Sequence, residues 1–89
     1  MAQDGFIAEK ELAAENEIYM LRYYTDEIVT ENARVYGLRA EKYLNGRRVE
    51  SERTPALFDN RAQADSLALR FAEGRVTPFV LCEMADECL

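Results

Sequence analysis

Alternating apolar positions run through residues 17–44 and predict β-strands. In "EIYMLRYYTDEIV", residues 17–29, both alternating sets are substantially apolar. A strand of that kind is often covered on both faces. After the polar turn "TENA", a second strand is predicted in "RVYGLRAEKYL", residues 34–44. The domain is therefore expected to begin with two antiparallel strands.

A β-hairpin is predicted at Asn45-Gly46, because this pair between alternating flanks is the strongest short hairpin signal. The third strand then runs through "RRVESER", residues 47–53. This turn fixes the register of the hairpin and places Arg39 opposite Glu52. One face of the hairpin is expected to face the core, and it carries Tyr36, Leu38, Ala40, Leu44 and Val49. The other face carries most of the charge.

Two helices are predicted after the strands. The first can be capped by Asp59 or Asn60, and it stops at Gly74. Its apolar residues follow helical spacing, at Ala64, Leu67, Ala68 and Phe71. The second is expected to begin at Thr77-Pro78. Its apolar stripe consists of Leu81, Met84, Ala85 and Cys88.

Residues 1–16 contain good helix formers but few large apolar side chains. A short isolated helix is marginal in water, so this segment is expected to be helical or flexible. Residues 17–89 are expected to form a single α+β domain. Its predicted order is β-β-β-α-α, a three-stranded antiparallel meander with both helices packed on one face.

The 89-residue chain is acidic, with a net charge of -6 and a pI of about 4.6. Such a chain repels phosphate backbones and anionic membrane surfaces, so neither nucleic acid nor membrane is an expected partner. The start "MAQDGFIAEK" lacks a signal-peptide pattern, and no apolar run is long enough to span a membrane. We expect a cytoplasmic protein.

Little in the sequence points to catalysis or metal binding. Histidine is absent, which removes the commonest general base and metal ligand. On one helix, Cys82 and Cys88 are too far apart for a disulfide, and their spacing matches no zinc motif. Paired carboxylates could act as a general acid and base, and the candidates are Glu41, Glu50 and Glu52. They are expected on a solvated sheet face, where their pKa values are not shifted. No catalytic, cofactor-binding or metal-binding residue is predicted, and the protein is not expected to be an enzyme.

Several loosely spaced features resemble a known family. They are Tyr36-Gly37-Leu38 with Glu41, a helix with Ala64 and Leu67, and Val76-Thr77-Pro78 with Leu81 and Leu89. Over residues 19–89 the chain resembles a family of short, uncharacterised bacterial proteins, mostly from Firmicutes, classed as a domain of unknown function. The resemblance implies a bacterial cytosolic protein and brings no activity or functional residue.

The sheet face opposite the helices is the best candidate for function. We expect an apolar patch of several hundred Å² there, near the upper limit for monomers, formed by Met20, Tyr24, Val35 and Tyr43. Either the N-terminal segment or a second copy of the chain could cover it. The second copy is favoured because the N-terminal segment has so few apolar residues. The predicted function is that of a protein-interaction module that self-associates.

The alternative is an RNA-binding module that uses the same open face. Sheets that bind single-stranded RNA present aromatic rings beside basic groups. Those ingredients are present at Arg22, Arg39, Tyr43 and Arg48. Glutamates interleaved among them weaken the positive field, which makes this the second choice.

Overall fold

A computed structural model describes residues 5–88 as a sheet followed by helices. The strands are β1 (Phe6–Ala14), β2 (Glu17–Val29), β3 (Arg34–Leu44) and β4 (Arg47–Arg53). They form one antiparallel sheet in the order β1-β2-β3-β4. The helices are α1 (Arg61–Glu73) and α2 (Leu81–Glu87), with a 3₁₀ turn at Pro78–Val80 directly before α2. The predicted α+β class is confirmed, and the sheet has four strands rather than three.

The additional strand is β1, so the prediction of a helical or flexible N-terminal segment is wrong for residues 6–14. Residues 1–4 of that segment lie outside the described residues. Helix propensity is a weak preference that tertiary pairing overrides, and here β1 pairs with β2 along its length. The turn between them consists of Glu15 and Asn16, with φ of 54° and 65°. Two left-handed residues in succession are typical of the tight turns that join antiparallel strands.

The hairpin predicted at Asn45-Gly46 is confirmed, with φ of 53° and 80° at the two residues. Its register differs from the prediction, because a bulge between Lys42 and Tyr43 shifts the pairing of residues 39–42 by one position. Arg39 consequently lies opposite Arg53, and the predicted pairing with Glu52 is wrong.

The bulge changes which charged residues lie opposite one another. Without the bulge, Glu41 would lie opposite Glu50, and like charges in that position are destabilising. The observed register places Glu41 opposite Ser51 and Glu50 opposite Lys42. The bulge also leaves Val49 exposed, so its predicted place in the core is wrong.

After β4, the chain continues beside β3 in an extended path. The backbone N–H of Thr54 donates to Leu38 O at 2.8 Å, and the N–H of Tyr36 donates to Phe58 O at 2.8 Å. Gly37 lies between these two contacts. A Cβ built on Gly37 would be 2.7 Å from the carbonyl oxygen of Pro55. Glycine therefore permits a close backbone approach that a side chain would block.

The core lies between the sheet and the helices. Its buried side chains are Leu21, Tyr23, Leu38, Ala40, Ala64, Leu67, Ala68, Phe71, Ala72, Leu81 and Ala85. The predicted apolar stripe of α1 is thus confirmed. Of the two candidate N-caps the structure uses Asn60, whose Oδ1 accepts a hydrogen bond from Gln63 N at 3.2 Å. The Tyr23 hydroxyl donates to Val76 O at 2.8 Å, and burial raises the pKa of this phenol.

The free edge of β1 carries one specific contact. Arg75 follows α1 in a left-handed conformation, with φ of 51°. Its Nε donates to the backbone carbonyl of Glu11 at 2.7 Å. Covering part of an edge strand with a group from another element is one way in which proteins hinder pairing with another chain. Within residues 5–88, no helix has the length and apolar character needed to cross a membrane.

Candidate interaction surface

We call the sheet side opposite the helices the outer face. Strand alternation and register place there Phe6, Glu9, Glu11 and Ala13 of β1; Ile18, Met20, Arg22, Tyr24, Asp26 and Ile28 of β2; Val35, Gly37, Arg39, Glu41 and Tyr43 of β3; and Arg48, Ser51 and Arg53 of β4. No helix or strand within residues 5–88 covers this face. The shortest dimension of the molecule, 17 Å, fits one sheet and one helix layer.

Glu41 is at the centre of the outer face and is only 4% exposed. One carboxylate oxygen accepts hydrogen bonds from Arg39 Nη1 at 2.8 Å and Arg48 Nη1 at 3.2 Å. The other accepts from the Tyr43 hydroxyl at 2.8 Å. Burial by itself raises the pKa of this carboxyl, but the hydrogen bonds and the nearby arginine charges outweigh burial. The net result is a lowered pKa.

Two arginines, Arg39 and Arg22, pack against aromatic rings around Glu41. The Arg39 guanidinium lies 3.9 Å from the centroid of the Tyr24 ring, and it also pairs with Asp26 at 3.2 Å. Arg22 lies 4.7 Å from the centroid of the Tyr43 ring and pairs with Glu9 at 2.7 Å. Each guanidinium therefore makes a cation–π contact and an ion pair at the same time.

The structure separates the four predicted interface residues. Met20 lies directly opposite Tyr43, so these two are neighbours. Tyr24 is buried, with Arg39 against its ring. Val35 is eight positions from Tyr43 on β3, a distance of about 26 Å along the strand. The four residues therefore do not form one continuous apolar patch, and their role in an interface stays a prediction.

Apolar side chains of the outer face lie mainly toward its ends. Ile18 at one end is 60% exposed, and Phe6 on β1 is 50% exposed. At the opposite end Ile28 pairs with Val35. Between these ends the face is a mosaic of arginines, carboxylates and tyrosines.

The expectation that Glu41 is solvated, without a pKa shift, is wrong. Glu41 is buried by the neighbours that bond to it. Two of them could be found in the sequence, because Arg39 and Tyr43 are two residues before and after it on the same face of a strand. The third, Arg48, depends on the register of the hairpin.

Cys82 does not have the environment of a nucleophile. Its Sγ is 3.4 Å from the carbonyl oxygen of Arg53, to which it can donate. Burial, together with the negative charges of Glu52 and Asp86, raises the pKa of its thiol. A reactive thiol requires the opposite shift. Among residues 5–88, no group of three or more acidic or thiol side chains is arranged to hold a metal ion.

We expect Glu41→Gln to lower the free energy of unfolding at pH 7 by about 1–3 kcal/mol, since it weakens hydrogen bonds between charged partners. The folded-state pKa of Glu41 lies below its unfolded value. Its contribution is therefore complete above the unfolded value, about 4.3, and is lost as pH falls through the folded one. Urea unfolding of both proteins should show the difference in stability shrinking between pH 7 and pH 3.

The matched control is Glu31→Gln, in the exposed turn between β2 and β3. This variant should unfold like the parent protein at both pH values. A difference between parent and Glu41→Gln that stays constant from pH 7 to pH 3 would contradict the assigned role of the Glu41 charge.

These features define a class of protein: a small α+β domain whose open four-stranded antiparallel sheet has helices on one side only. The chain belongs to a family of unknown function, DUF6514, whose family model matches residues 4–89. The match includes β1 as well as the part of the chain that carried the resemblance. Searches of curated proteins and of solved structures found no match.

Proposed function

We propose that this protein is a non-enzymatic protein-interaction module of the bacterial cytosol, and that its outer face binds a second copy of the chain. The observation that carries the proposal is a bare sheet face with balanced charge on a strongly acidic chain. The cytosolic location is supported by two free cysteines, which suit a reducing compartment. The bacterial origin rests on the family resemblance.

Charge balance favours a second copy as the partner. The arginines of the outer face are Arg22, Arg39, Arg48 and Arg53, and its acids are Glu9, Glu11, Asp26 and Glu41. These charges cancel, so the net charge of -6 belongs to the rest of the chain. Two acidic copies repel each other through most of their surfaces. On the outer face they can approach without net repulsion.

The size of the face indicates a weak dimer. Four strands span about 19 Å in width, and an eleven-residue strand such as β3 is about 36 Å long. A sheet of these dimensions can bury several hundred Å² of its surface. In a standard interface each partner buries about 800 Å², which is somewhat more. Association is therefore expected to depend on concentration.

RNA binding is the weaker alternative for the same face. The more central arginines, Arg22 and Arg39, are held by carboxylates, and the face has no net positive charge. Affinity for a phosphate backbone comes largely from unneutralised cations.

We expect sedimentation equilibrium of the parent protein to show a mass that rises from monomer toward dimer with concentration. Met20→Glu places an unpaired charge beside Tyr43 and should weaken this association at least tenfold. The matched control is Leu69→Glu, which adds the same charge at an exposed position of α1. The control should associate like the parent.

Circular dichroism should show that both variants remain folded. A parent protein that stays monomeric at every concentration would overturn the proposal. Retention of the parent on immobilised poly-U at low salt would support the RNA-binding alternative instead.

A further inference from the structure

We infer that the two copies pack face to face about a two-fold axis that runs parallel to the strands, so that β1 of each copy lies over β4 of the other. This inference rests on the proposed function and adds the geometry of the complex. It follows from how charges are distributed across the outer face.

The outer face is acidic at one edge and basic at the other. β1 contributes Glu9 and Glu11 to it, and β4 contributes Arg48 and Arg53. Within residues 5–88, neither Glu11 nor Arg53 has an ion-pair partner. Arg48 bonds to Glu41, yet its side chain is 57% exposed. Charge that can bind a partner is therefore concentrated at opposite edges.

An axis parallel to the strands reverses the order of the strands in the second copy. Each residue keeps its position along the strand direction. One cross-strand row of the sheet reads Glu11, Met20, Tyr43, Arg48. In the second copy this row is read backwards. Glu11 then faces Arg48 of the partner subunit, and Met20 faces the partner's Tyr43.

The neighbouring row is self-complementary in the same way. It reads Glu9, Arg22, Glu41, Ser51. Read backwards, it places Arg22 over the partner's Glu41. Sheets packed face to face keep their strand directions within about 30° of each other, so long side chains can reach these partners.

The other two-fold axis in the plane of the interface runs perpendicular to the strands, and it does not set opposite charges against each other. It lays each strand over its own copy. The acidic edge at β1 would then lie over the partner's acidic edge, and the basic edge at β4 over the partner's basic edge, at whatever level along the strands the axis is placed. Like charges set against each other in an interface are strongly unfavourable, so the charge pattern selects the parallel axis.

Charge reversal tests this arrangement directly. Glu11 and Arg48 lie on the first and fourth strands, about 14 Å apart across the sheet, too far to pair within one chain. Glu11→Arg and Arg48→Glu each place like charges opposite one another twice in the dimer. Each variant alone should lose at least tenfold in self-association, measured by sedimentation equilibrium.

Mixing the two variants in equal amounts should restore association, because every reversed charge then faces an opposite one. Native mass spectrometry should show that the restored species contains one copy of each variant. The matched controls are Glu73→Arg and Arg70→Glu, which make the same charge changes at exposed positions of α1. Both controls should self-associate like the parent.

The outcomes separate this inference from the function on which it rests. Suppose that the parent dimerises, that Met20→Glu prevents it and that both charge-reversal variants remain folded by circular dichroism, yet their mixture does not associate. The parallel axis is then wrong, while binding through the outer face stands. Single variants that associate like the parent also overturn the axis. A monomeric parent overturns both.

Discussion

Phe71→Ala should lower the free energy of unfolding by about 3–5 kcal/mol, the usual cost of deleting a buried aromatic ring. Phe71 is almost completely buried on α1 and belongs to the core cluster beneath the sheet. A domain of this size has a total stability of about 4–13 kcal/mol. The variant should therefore lose a large share of its stability, and it should unfold at a much lower urea concentration.

Leu69→Ala is the matched control for this prediction. Leu69 lies two residues away on the same helix, and 46% of it is exposed. Its truncation removes an apolar side chain without opening a cavity, so the urea midpoint should change little. Equal losses for the two variants would contradict the packing of α1 on the sheet.

Gly37→Ala should cost about 3 kcal/mol, the upper end of the usual penalty for overpacking. The added methyl would lie 2.7 Å from Pro55 O and 3.1 Å from Thr54 O. These are backbone atoms of a segment that is hydrogen-bonded to β3 beside Gly37. They cannot move away without breaking those bonds. Thermal unfolding followed by circular dichroism would measure the loss.

The same substitution at Gly74 provides the control. There the nearest atom to an added Cβ is 3.6 Å away, which is an ordinary contact. The backbone φ is -87°, which alanine adopts without strain. Gly74→Ala should keep the parent melting temperature. If Gly37→Ala kept it as well, the close approach at Gly37 would be wrong.

The parts of the fold that are encoded locally could be predicted from the sequence. Alternation indicates β2 and β3, and Asn45-Gly46 indicates the hairpin because both residues accept a left-handed backbone. Asn60 and Gly74 mark the ends of α1 because one caps and the other terminates a helix. Each of these signals acts over a few residues.

The parts that depend on distant partners could not be predicted. β1 is rich in alanine, glutamate and lysine, which are depleted in strands, and it is a strand because β2 offers it an edge to pair with. The bulge near Val49 depends on how the side chains of β3 and β4 pair along their whole length, which no short stretch of sequence encodes. Side-chain alternation could have indicated a strand in residues 6–14, but the many helix-forming residues there favoured the helical prediction.

The sequence predicts which residues lie on the candidate surface, but it does not predict the contacts between their side chains. Alternation correctly assigns Met20, Tyr24 and Tyr43 to one face. It does not show that Arg39 lies against the Tyr24 ring, or that Glu41 is buried beneath its partners. Those facts depend on side-chain conformations and on the register of the neighbouring strands.

The contact between Arg75 and the β1 edge hinders one kind of assembly at that edge. A strand from another molecule that added to this edge would need the Glu11 carbonyl, which Arg75 already occupies. Addition at sheet edges can continue indefinitely and leads to fibres. Face-to-face pairing about a two-fold axis instead uses up the binding surface of both copies. At the β1 edge, the Arg75 contact therefore favours the proposed face-to-face pairing, which ends at two copies, over the addition of strands.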